Sequence, residues 1–156
     1  KPIMMKAHEH LALLATENLC KGKTVTTSHP WQGDWAPQLA VDGVVGLNSY
    51  WSCAISPSSI TVDLGGLTRI TALRVVNYWD GGRFYQYTAE ISTDGNVWQT
   101  VADMSTNTDP ATESGALHTF EPSDARFVRV TMLKNSANPG MHIVELEAFS
   151  SIPGKE

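Results

Sequence analysis

The sequence predicts an all-β fold, a sandwich or barrel of short strands. Several segments alternate apolar and polar side chains, which is the period-2 pattern of a strand with one buried face. Clusters of Gly, Asp and Asn separate these segments, as turns between short strands require. No segment of helical length lies between the strands, so the pattern argues against an α/β fold.

Length, composition and charge limit the classes of protein to which the chain can belong. A chain of 156 residues fits one domain of roughly 100–200 residues and can fold without a metal or a disulfide. Its residues are 42% hydrophobic and 17% charged, and no apolar run approaches the roughly 18 residues of a membrane-spanning helix. The net charge of −5 disfavours nucleic acid and anionic membranes as partners, because both attract a basic face.

The predicted strands follow one another from residue 59 onward. The first alternates through Ile60, Val62 and Leu64, and the second is rich in β-branched and aromatic residues. Thr93–Asn96 is typical of a hairpin turn between two later strands. Strands are predicted over residues 59–64, 70–78, 87–92, 97–101, 126–133 and 142–149, with further turns at 63–66, 80–82 and 135–140.

The first residues differ from the rest because residues 3–17 are the only helix-like stretch. Two histidines and a glutamate interrupt it, and its apolar run is too short for a signal peptide. Because the chain begins at Lys1, we expect it to be a processed or excised piece of a longer protein. We predict a short helix or linker over residues 1–17, the sandwich over 18–150 and a tail over 151–156.

Cysteines and catalytic motifs point to neither a zinc site nor an enzyme. Cys20 and Cys53 leave two interpretations open, one disulfide or two buried thiols. Their spacing with the scattered histidines fits no zinc site. The sequence contains no Gly-x-Ser-x-Gly, no His-Glu-x-x-His and no phosphate-binding Gly loop, so we expect no catalytic activity.

A series of sequence blocks, in a fixed order, carries a resemblance to a known family. The blocks are NLCKGKTVTTS (18–28), AVDG (40–43), SYWS (49–52), ITVDLGG (60–66), ITALRVVNY (70–78), EISTDGNVW (90–98), ARFVRVTM (125–132) and HIVELEAF (142–149). Together they resemble the discoidin, or coagulation factor V/VIII C-type, domain and the bacterial family 32 carbohydrate-binding modules. The resemblance implies a β-sandwich jelly roll with its binding loops at one end. It also implies a module of an extracellular, periplasmic or cell-surface protein.

The same resemblance implies a structural calcium site. Calcium prefers several oxygen ligands, from carboxylates, hydroxyls and backbone carbonyls. The segment between Asp42 and Ser49 is slightly longer than the family pattern, and Val44 is the ligand that this affects. The alternative is that Asp42 only caps a turn and Glu145 is a charge at the rim. The implied ligands are the side chains of Asp42, Ser49 and Glu145 and the carbonyls of Leu39, Val44, Ser49 and Val144.

Aromatic residues beside polar ones in the loops indicate a glycan site. An aromatic face stacks on the apolar C–H face of a sugar ring, and charged or amide groups hydrogen-bond its hydroxyls. The alternatives are that the tryptophans pack a long loop, and that Asp80 and Arg83 clamp their own loop. Trp51 and Trp98 match core or near-core positions of the family. The candidate ligand-binding residues are Trp31, Trp35, Tyr78, Trp79, Asp80, Arg83, Asn138 and His142.

The identity of the glycan stays open at this point. Galactose-binding members resemble each other in a His, an Arg and an Asn. Here the His and Arg positions hold Ser52 and Tyr78, and the loop is too short to hold the Asn. The usual galactose triad is therefore absent. We expect a monomeric carbohydrate-binding module, with a protein-interaction or adhesion module of the same fold as the alternative. A lipid-headgroup binder would need protruding apolar side chains flanked by basic residues, and the loops hold few Lys or Arg residues.

Overall fold

The computed structural model describes residues 16–154. The predicted N-terminal helix or linker therefore lies outside the described residues, except for its last two positions. Within the described part, the only helix is a 3-10 helix, Pro37–Val41, and no helix is long and apolar enough to cross a membrane. The prediction of an all-β fold is confirmed. The strands are β1 (Thr24–Thr27), β2 (Trp51–Cys53), β3 (Ser58–Val76), β4 (Tyr85–Ser92), β5 (Gln99–Asp103), β6 (Ala116–Asn135), β7 (Met141–Ile143) and β8 (Glu145–Phe149).

Two long bent strands, β3 and β6, run through both layers of the sandwich. The first part of β3 pairs with β1 and with the last part of β6, and β4 and β5 continue this layer. The second part of β3 lies between the first part of β6 and β8 and forms the other layer. All of these pairs are antiparallel.

The bend in β3 lies where the sequence predicts a turn, at residues 63–66. The register shifts between Asp63 and Thr68, and Gly65 has a φ of 89°. Strand pairing continues on both sides of this shift, so the glycines bend the strand instead of reversing it. The predicted turn is therefore wrong, and the two strands predicted around it are one.

The core lies between the layers. Ile60 and Val62 of β3 and Val128 and Val130 of β6 are fully buried, as their alternation predicts. Cys20 and Cys53 are not bonded to each other, and both are buried in the same core, which decides between the two interpretations of these cysteines. Close packing of such side chains gives a rigid base on which the loops are carried.

One end of the sandwich gathers loops from distant parts of the chain. Tyr85, the first residue of β4, pairs with Asn135, the last residue of β6. β2 pairs with β7, which places Ser52 opposite His142. The predicted last strand is divided at Val144, whose N–H bonds to the carbonyl of Val76 at 2.7 Å. The segments around residues 31–50, 77–84 and 136–140 therefore meet at this end.

Candidate functional site

A group of aromatic rings packs together at the loop end of the sandwich. The rings of Trp35 and Tyr50 are stacked, with centroids 4.2 Å apart and planes within 6°. Tyr50 also meets Tyr78 and His142 edge to face, each at 5.4 Å. The ring of Tyr85 also meets His142 edge to face, with centroids 5.9 Å apart. We call these five residues the aromatic cluster. Its outer rings are half-buried, and Tyr85 is buried beneath them.

Backbone hydrogen bonds fix the loop that carries Trp35. The N–H of Ser52 in β2 donates to the carbonyl of Trp35, and the N–H of Trp35 donates to the carbonyl of Gln32. The Ser52 hydroxyl donates to Oε1 of Gln32 at 2.6 Å. Tyr50 lies two residues before Ser52, so these bonds hold Trp35 against it. The stacked pair is therefore a product of the fold at β2.

A hydrogen bond beneath the cluster orients His142. The phenol oxygen of Tyr85 lies 2.6 Å from Nδ1 of His142, and Nη1 of Arg83 lies 3.4 Å from the same oxygen. Burial, with a smaller effect of Arg83, lowers the pKa of His142 to about 4. Burial also raises the pKa of Tyr85 to about 12. At neutral pH both groups are therefore uncharged, and one hydrogen bond joins the phenol oxygen to Nδ1.

The loop between β3 and β4 is held by Asp80 and Arg83. Oδ1 of Asp80 accepts from the N–H groups of Gly82 and Arg83, and Oδ2 pairs with Nε of Arg83 at 2.9 Å. The two backbone bonds are the main reason that the pKa of Asp80 falls to about 2. The guanidinium of Arg83 lies 4.8 Å from the centroid of Tyr78. The loop thus presents a bound ion pair beside an aromatic ring.

The third loop packs on the other side of His142. Oδ1 of Asn138 accepts from the side chain of Asn135 at 3.0 Å and from the N–H of Gly140 at 2.8 Å. A Cβ added to Gly140 would lie 2.8 Å from Cε1 and Nε2 of His142. Gly140 is therefore the residue that lets this loop approach the imidazole so closely.

Several of the residues that the sequence predicts as ligands meet in this region, and others do not. Trp35, Tyr78 and His142 belong to the cluster, and Asp80 and Arg83 border it. Among the described residues, the rings of Trp31 and Trp79 form no aromatic pair with the cluster, and Trp31 is 45% exposed. Asn138 shapes the loop beside His142.

Tyr50 and Tyr85 belong to the cluster but are not among the predicted ligands. Tyr50 stands in the sequence only as the variable residue between Ser49 and Trp51. Tyr85 has the alternation of a core position in β4, and its ring and hydroxyl both contact His142. A tyrosine directly before a buried strand is the signal that could have indicated Tyr50.

Two carboxylates, Asp42 and Glu145, lie close to each other. The N–H of Gly43 donates to Oε2 of Glu145 at 2.9 Å, and the N–H of Val44 donates to Oδ1 of Asp42 at 2.9 Å. The hydroxyl of Ser49 donates to Oδ2 of Asp42. Glu145 is fully buried, and burial is the main cause that raises its pKa to about 9, with Asp42 adding to the rise.

The chemistry of this pair fits a hard cation. Oε1 of Glu145 is buried and has no hydrogen-bond partner, an arrangement that costs free energy unless something compensates it. Leu39 lies in the 3-10 helix that ends just before Asp42, and Val144 directly precedes Glu145. Within residues 16–154 no group of three or more His, Cys, Asp or Glu side chains could hold a metal, so neutral oxygens would complete the site.

A cavity of about 240 Å³ lies under the loop between β5 and β6 and shares Tyr85 with the aromatic cluster. The side chain of Asn107 in this loop donates to the carbonyls of Tyr85 and Asp109, and its Oδ1 accepts from the N–H of Asp109. These groups are used to hold the loop, whereas the cluster presents half-buried rings beside an ion pair. The lining of the cavity includes Val75, Asn77, Tyr85, Tyr87, Met104 and Pro110.

The sequence matches the F5/8 type C domain family over residues 24–146, most of the chain. The chain belongs to the F5/8 type C domain family. The predicted membership is thus confirmed. As an F5/8 type C domain it spans only about a seventh of the curated relatives it matches. It is 33% identical over 105 residues to the Drosophila melanogaster BTB/POZ domain-containing protein 9, covering 65% of this chain and 14% of that protein. The human protein of that name is 32% identical over 102 residues, with 64% and 16% covered.

Solved structures of carbohydrate-binding modules share the fold of this F5/8 type C domain. The module CpGH89CBM32-4 of Clostridium perfringens, in complex with GlcNAc-α-1,4-galactose, has a TM-score of 0.73 at 22% identity, covering 86% of this chain and 94% of that one. A chitosan-binding module of a Paenibacillus sp. IK-5 chitosanase/glucanase has a TM-score of 0.69 at 24% identity, with 85% and 98% covered. The jelly-roll architecture predicted from the sequence is confirmed by these likenesses.

Proposed function

We propose that this domain is a non-catalytic carbohydrate-binding module of a larger secreted or cell-surface protein. The observation that carries the proposal is the placement of Tyr50, stacked on Trp35 and bordered by the edges of Tyr78 and His142. Aromatic rings that are half-buried and held in place offer flat apolar area to the C–H face of a sugar. The glycan site is therefore assigned to the aromatic cluster.

Polar groups beside these rings match the hydroxyl groups of a sugar. Arg83 donates through its guanidinium, Asp80 accepts through its carboxylate, and the neutral imidazole of His142 can donate or accept at Nε2, according to its tautomer. Hydrogen bonds to charged groups are stronger than those between neutral groups. Because the loops are held by their own hydrogen bonds, little ordering is needed when a sugar binds.

The solved neighbours support a glycan as the partner. Their names include a module in complex with GlcNAc-α-1,4-galactose, a chitosan-binding module and a family 32 module in complex with 4,5-unsaturated mannuronic acid. These ligands differ from one another, so the neighbours support the class of ligand and not one sugar. The specificity must come from the loops of this chain.

Calcium is the cation that we propose for the carboxylate pair. The buried, unpartnered Oε1 of Glu145, beside Asp42 and the Ser49 hydroxyl, provides the oxygen ligands that this ion prefers. Carbonyls of Leu39, Ser49, Val44 and Val144 would complete the set. Bound calcium would hold residues 42–49 and, through Ser49, the neighbouring Tyr50, without taking part in any reaction.

A protein-interaction module is the second candidate function. Val44 and Val45 are 52% and 42% exposed, in the loop between Asp42 and Ser49. Adjacent exposed apolar side chains are a feature of surfaces that contact proteins. For this candidate, substitution of both valines by Ser would abolish binding to the partner, and the aromatic cluster would be dispensable.

A glycan array probed with the isolated domain in calcium tests the proposed function. The wild-type domain is expected to bind one class of glycan, and Trp35→Ala is expected to lose that binding because the stack under Tyr50 is gone. Trp31→Ala is the matched control, since Trp31 is exposed and forms no aromatic pair with the cluster. No binding by folded, monomeric wild-type protein would contradict the proposal and favour a protein partner.

A further inference from the structure

We propose that Asp80 determines specificity at the aromatic cluster by neutralising Arg83, so that the site selects neutral sugars over carboxylated sugars. This inference rests on the proposed glycan-binding function. The inference narrows the proposed ligand to neutral sugars, because the aromatic rings alone would accept a neutral or an acidic sugar ring. The discrimination comes from one ion pair at the edge of the cluster.

Asp80 and Arg83 together add no net charge to the cluster. In the described part of the chain, Arg83 is the one charged side chain that lies over a ring of the cluster. Its Nε is bound to Oδ2 of Asp80 at 2.9 Å, which cancels its charge at short range. A carboxylated sugar therefore meets no unbalanced positive charge.

The guanidinium of Arg83 is already engaged in three directions. Nε binds Asp80, Nη1 approaches the phenol oxygen of Tyr85 at 3.4 Å, and the plane lies over Tyr78. The Arg83 side chain is 15% exposed, whereas the Asp80 side chain is 41% exposed. An incoming carboxylate would have to displace Asp80 from Arg83 or lie against its exposed negative charge, and like charges repel.

A neutral hydroxyl fits the same ion pair without a charge conflict. It can donate to the carboxylate of Asp80 and accept from a remaining N–H of Arg83 in the same position. The ion pair thus favours binding of a hydroxymethyl group and disfavours binding of the carboxylate that replaces it in a uronic acid. Mannose and mannuronic acid, which differ in this one group, are an example of such a pair.

Asp80→Asn separates this role from the support of the loop. Oδ1 of Asp80 accepts the N–H groups of Gly82 and Arg83, and the oxygen of an asparagine side chain keeps both bonds. The amide nitrogen would replace the oxygen that holds Nε of Arg83, and two donors cannot bond to each other. The substitution therefore frees the charge of Arg83 while the turn is retained.

Asp63→Asn is the matched control for this change. Asp63 also accepts a backbone N–H, from Gly65, and also pairs with an arginine, Arg126, at 3.0 Å. The strand register places it near the far end of β4 from Tyr85, roughly 20 Å away at about 3.3 Å for each residue. The control removes the same charge and the same kind of ion pair outside the cluster.

The experiment measures affinities for matched sugar pairs: galactose and galacturonic acid, glucose and glucuronic acid, and mannose and mannuronic acid, each as an oligosaccharide. The wild-type domain is expected to bind the neutral member of at least one pair more tightly. In Asp80→Asn the ratio of acidic to neutral affinity is expected to rise by about tenfold, the scale of one charge-assisted hydrogen bond. This gain is expected to shrink as salt is raised, and Asp63→Asn is expected to keep the wild-type ratio.

The outcomes that contradict the inference are distinct from those that contradict the function. Equal or tighter binding of the acidic members by the wild-type domain would overturn the role of Asp80 and leave the glycan function standing. An unchanged ratio in folded Asp80→Asn, or the same rise in Asp63→Asn, would also overturn it. If neither the wild-type domain nor the Asp80→Asn variant bound any member of the three pairs, the glycan function and this inference would be overturned together.

Discussion

The hydroxyl of Tyr85 hydrogen-bonds to Nδ1 of His142 across 2.6 Å, and so joins β4 to β7 beneath the aromatic cluster. These residues are 57 positions apart in the chain. Tyr87, two residues further along β4, forms the same kind of bond to Nε2 of His118 at 2.7 Å, away from the cluster. One strand thus carries two part-buried Tyr–His bonds, of which only the first supports the candidate site.

Tyr85→Phe is expected to weaken glycan binding by about fivefold, the equivalent of one hydrogen bond that orients His142. It is also expected to lower the free energy of unfolding by about 1 kcal/mol. Titration calorimetry and urea unfolding measure the two effects. Tyr87→Phe is the matched control: its stability is expected to fall by a similar amount, with affinity unchanged. Equal losses of affinity in both variants would show that His142 has no special role.

Gly140→Ala is expected to reduce glycan affinity with a small loss of stability. The new Cβ would lie 2.8 Å from two ring atoms of His142 and 2.9 Å from Oδ1 of Asn138, so the loop or the imidazole must move. Gly115→Ala provides the contrast, because Gly115 has a φ of 71° and a Cβ there would lie 2.8 Å from the carbonyl of Val75. That variant is expected to lose about 1–3 kcal/mol of stability and to bind glycan normally once folded. The reverse pattern would contradict this account of Gly140.

Acid is expected to destabilise the domain through His142. Burial lowers its pKa from about 6.5 to about 4, so the unfolded chain binds a proton at a pH where the folded domain does not. The stability that neutral His142 contributes is complete above pH 6.5 and is lost as the pH falls through 4. Unfolding free energies measured between pH 7 and pH 4 are expected to fall less steeply in His142→Gln. Burial lowers the pKa of His118 as well, so part of the slope will remain. Identical slopes in the variant and the wild type would contradict this prediction.

Calcium is expected to raise the melting temperature, and to raise it more at pH 8 than at pH 5.5. The pKa of Glu145 is raised to about 9, so without a cation its contribution to stability is complete below about 4.5 and is lost as the pH rises through 9. Calcium binds the ionised carboxylate and reverses that loss. Thermal unfolding with calcium or a chelator measures the difference.

Glu145→Gln and Glu147→Gln make a matched pair for the calcium prediction. The first is expected to abolish the calcium response and, with chelator present, to flatten the loss of stability between pH 5.5 and pH 8. The second removes a carboxylate that pairs with Arg74 at 2.8 Å on the same strand, and is expected to keep the response. A calcium response that persists in Glu145→Gln would rule out the carboxylate pair as the site.

The fold could be predicted from the sequence because strand periodicity and turn residues are local signals. Ile60, Val62 and Leu64 alternate, and each is buried as that alternation requires. The bend at Gly65 and Gly66 was predicted as a turn because glycine is common in turns and in bent strands. Only the pairing with β6 on both sides of the glycines distinguishes a bent strand from a turn.

The site could be predicted only in part because it depends on contacts across the chain. Asp80 and Arg83 lie three residues apart, so their pairing was already an alternative at the level of sequence. The stacking of Trp35 on Tyr50 and the contact of Tyr50 with His142 depend on the pairing of β2 with β7. No local pattern reports such a contact, and Tyr50 was therefore missed.

Chemical-shift mapping of the domain with the best glycan from the array tests the central claim most directly. The account predicts that the indole N–H of Trp35 and the amides of Tyr50, Arg83 and Gly140 shift on titration, and that Tyr50→Ala abolishes these shifts while the rest of the spectrum stays folded. Shifts confined to the cavity lined by Met104 and Pro110, or to the exposed Val44 and Val45, would contradict the assignment of the glycan site to the aromatic cluster.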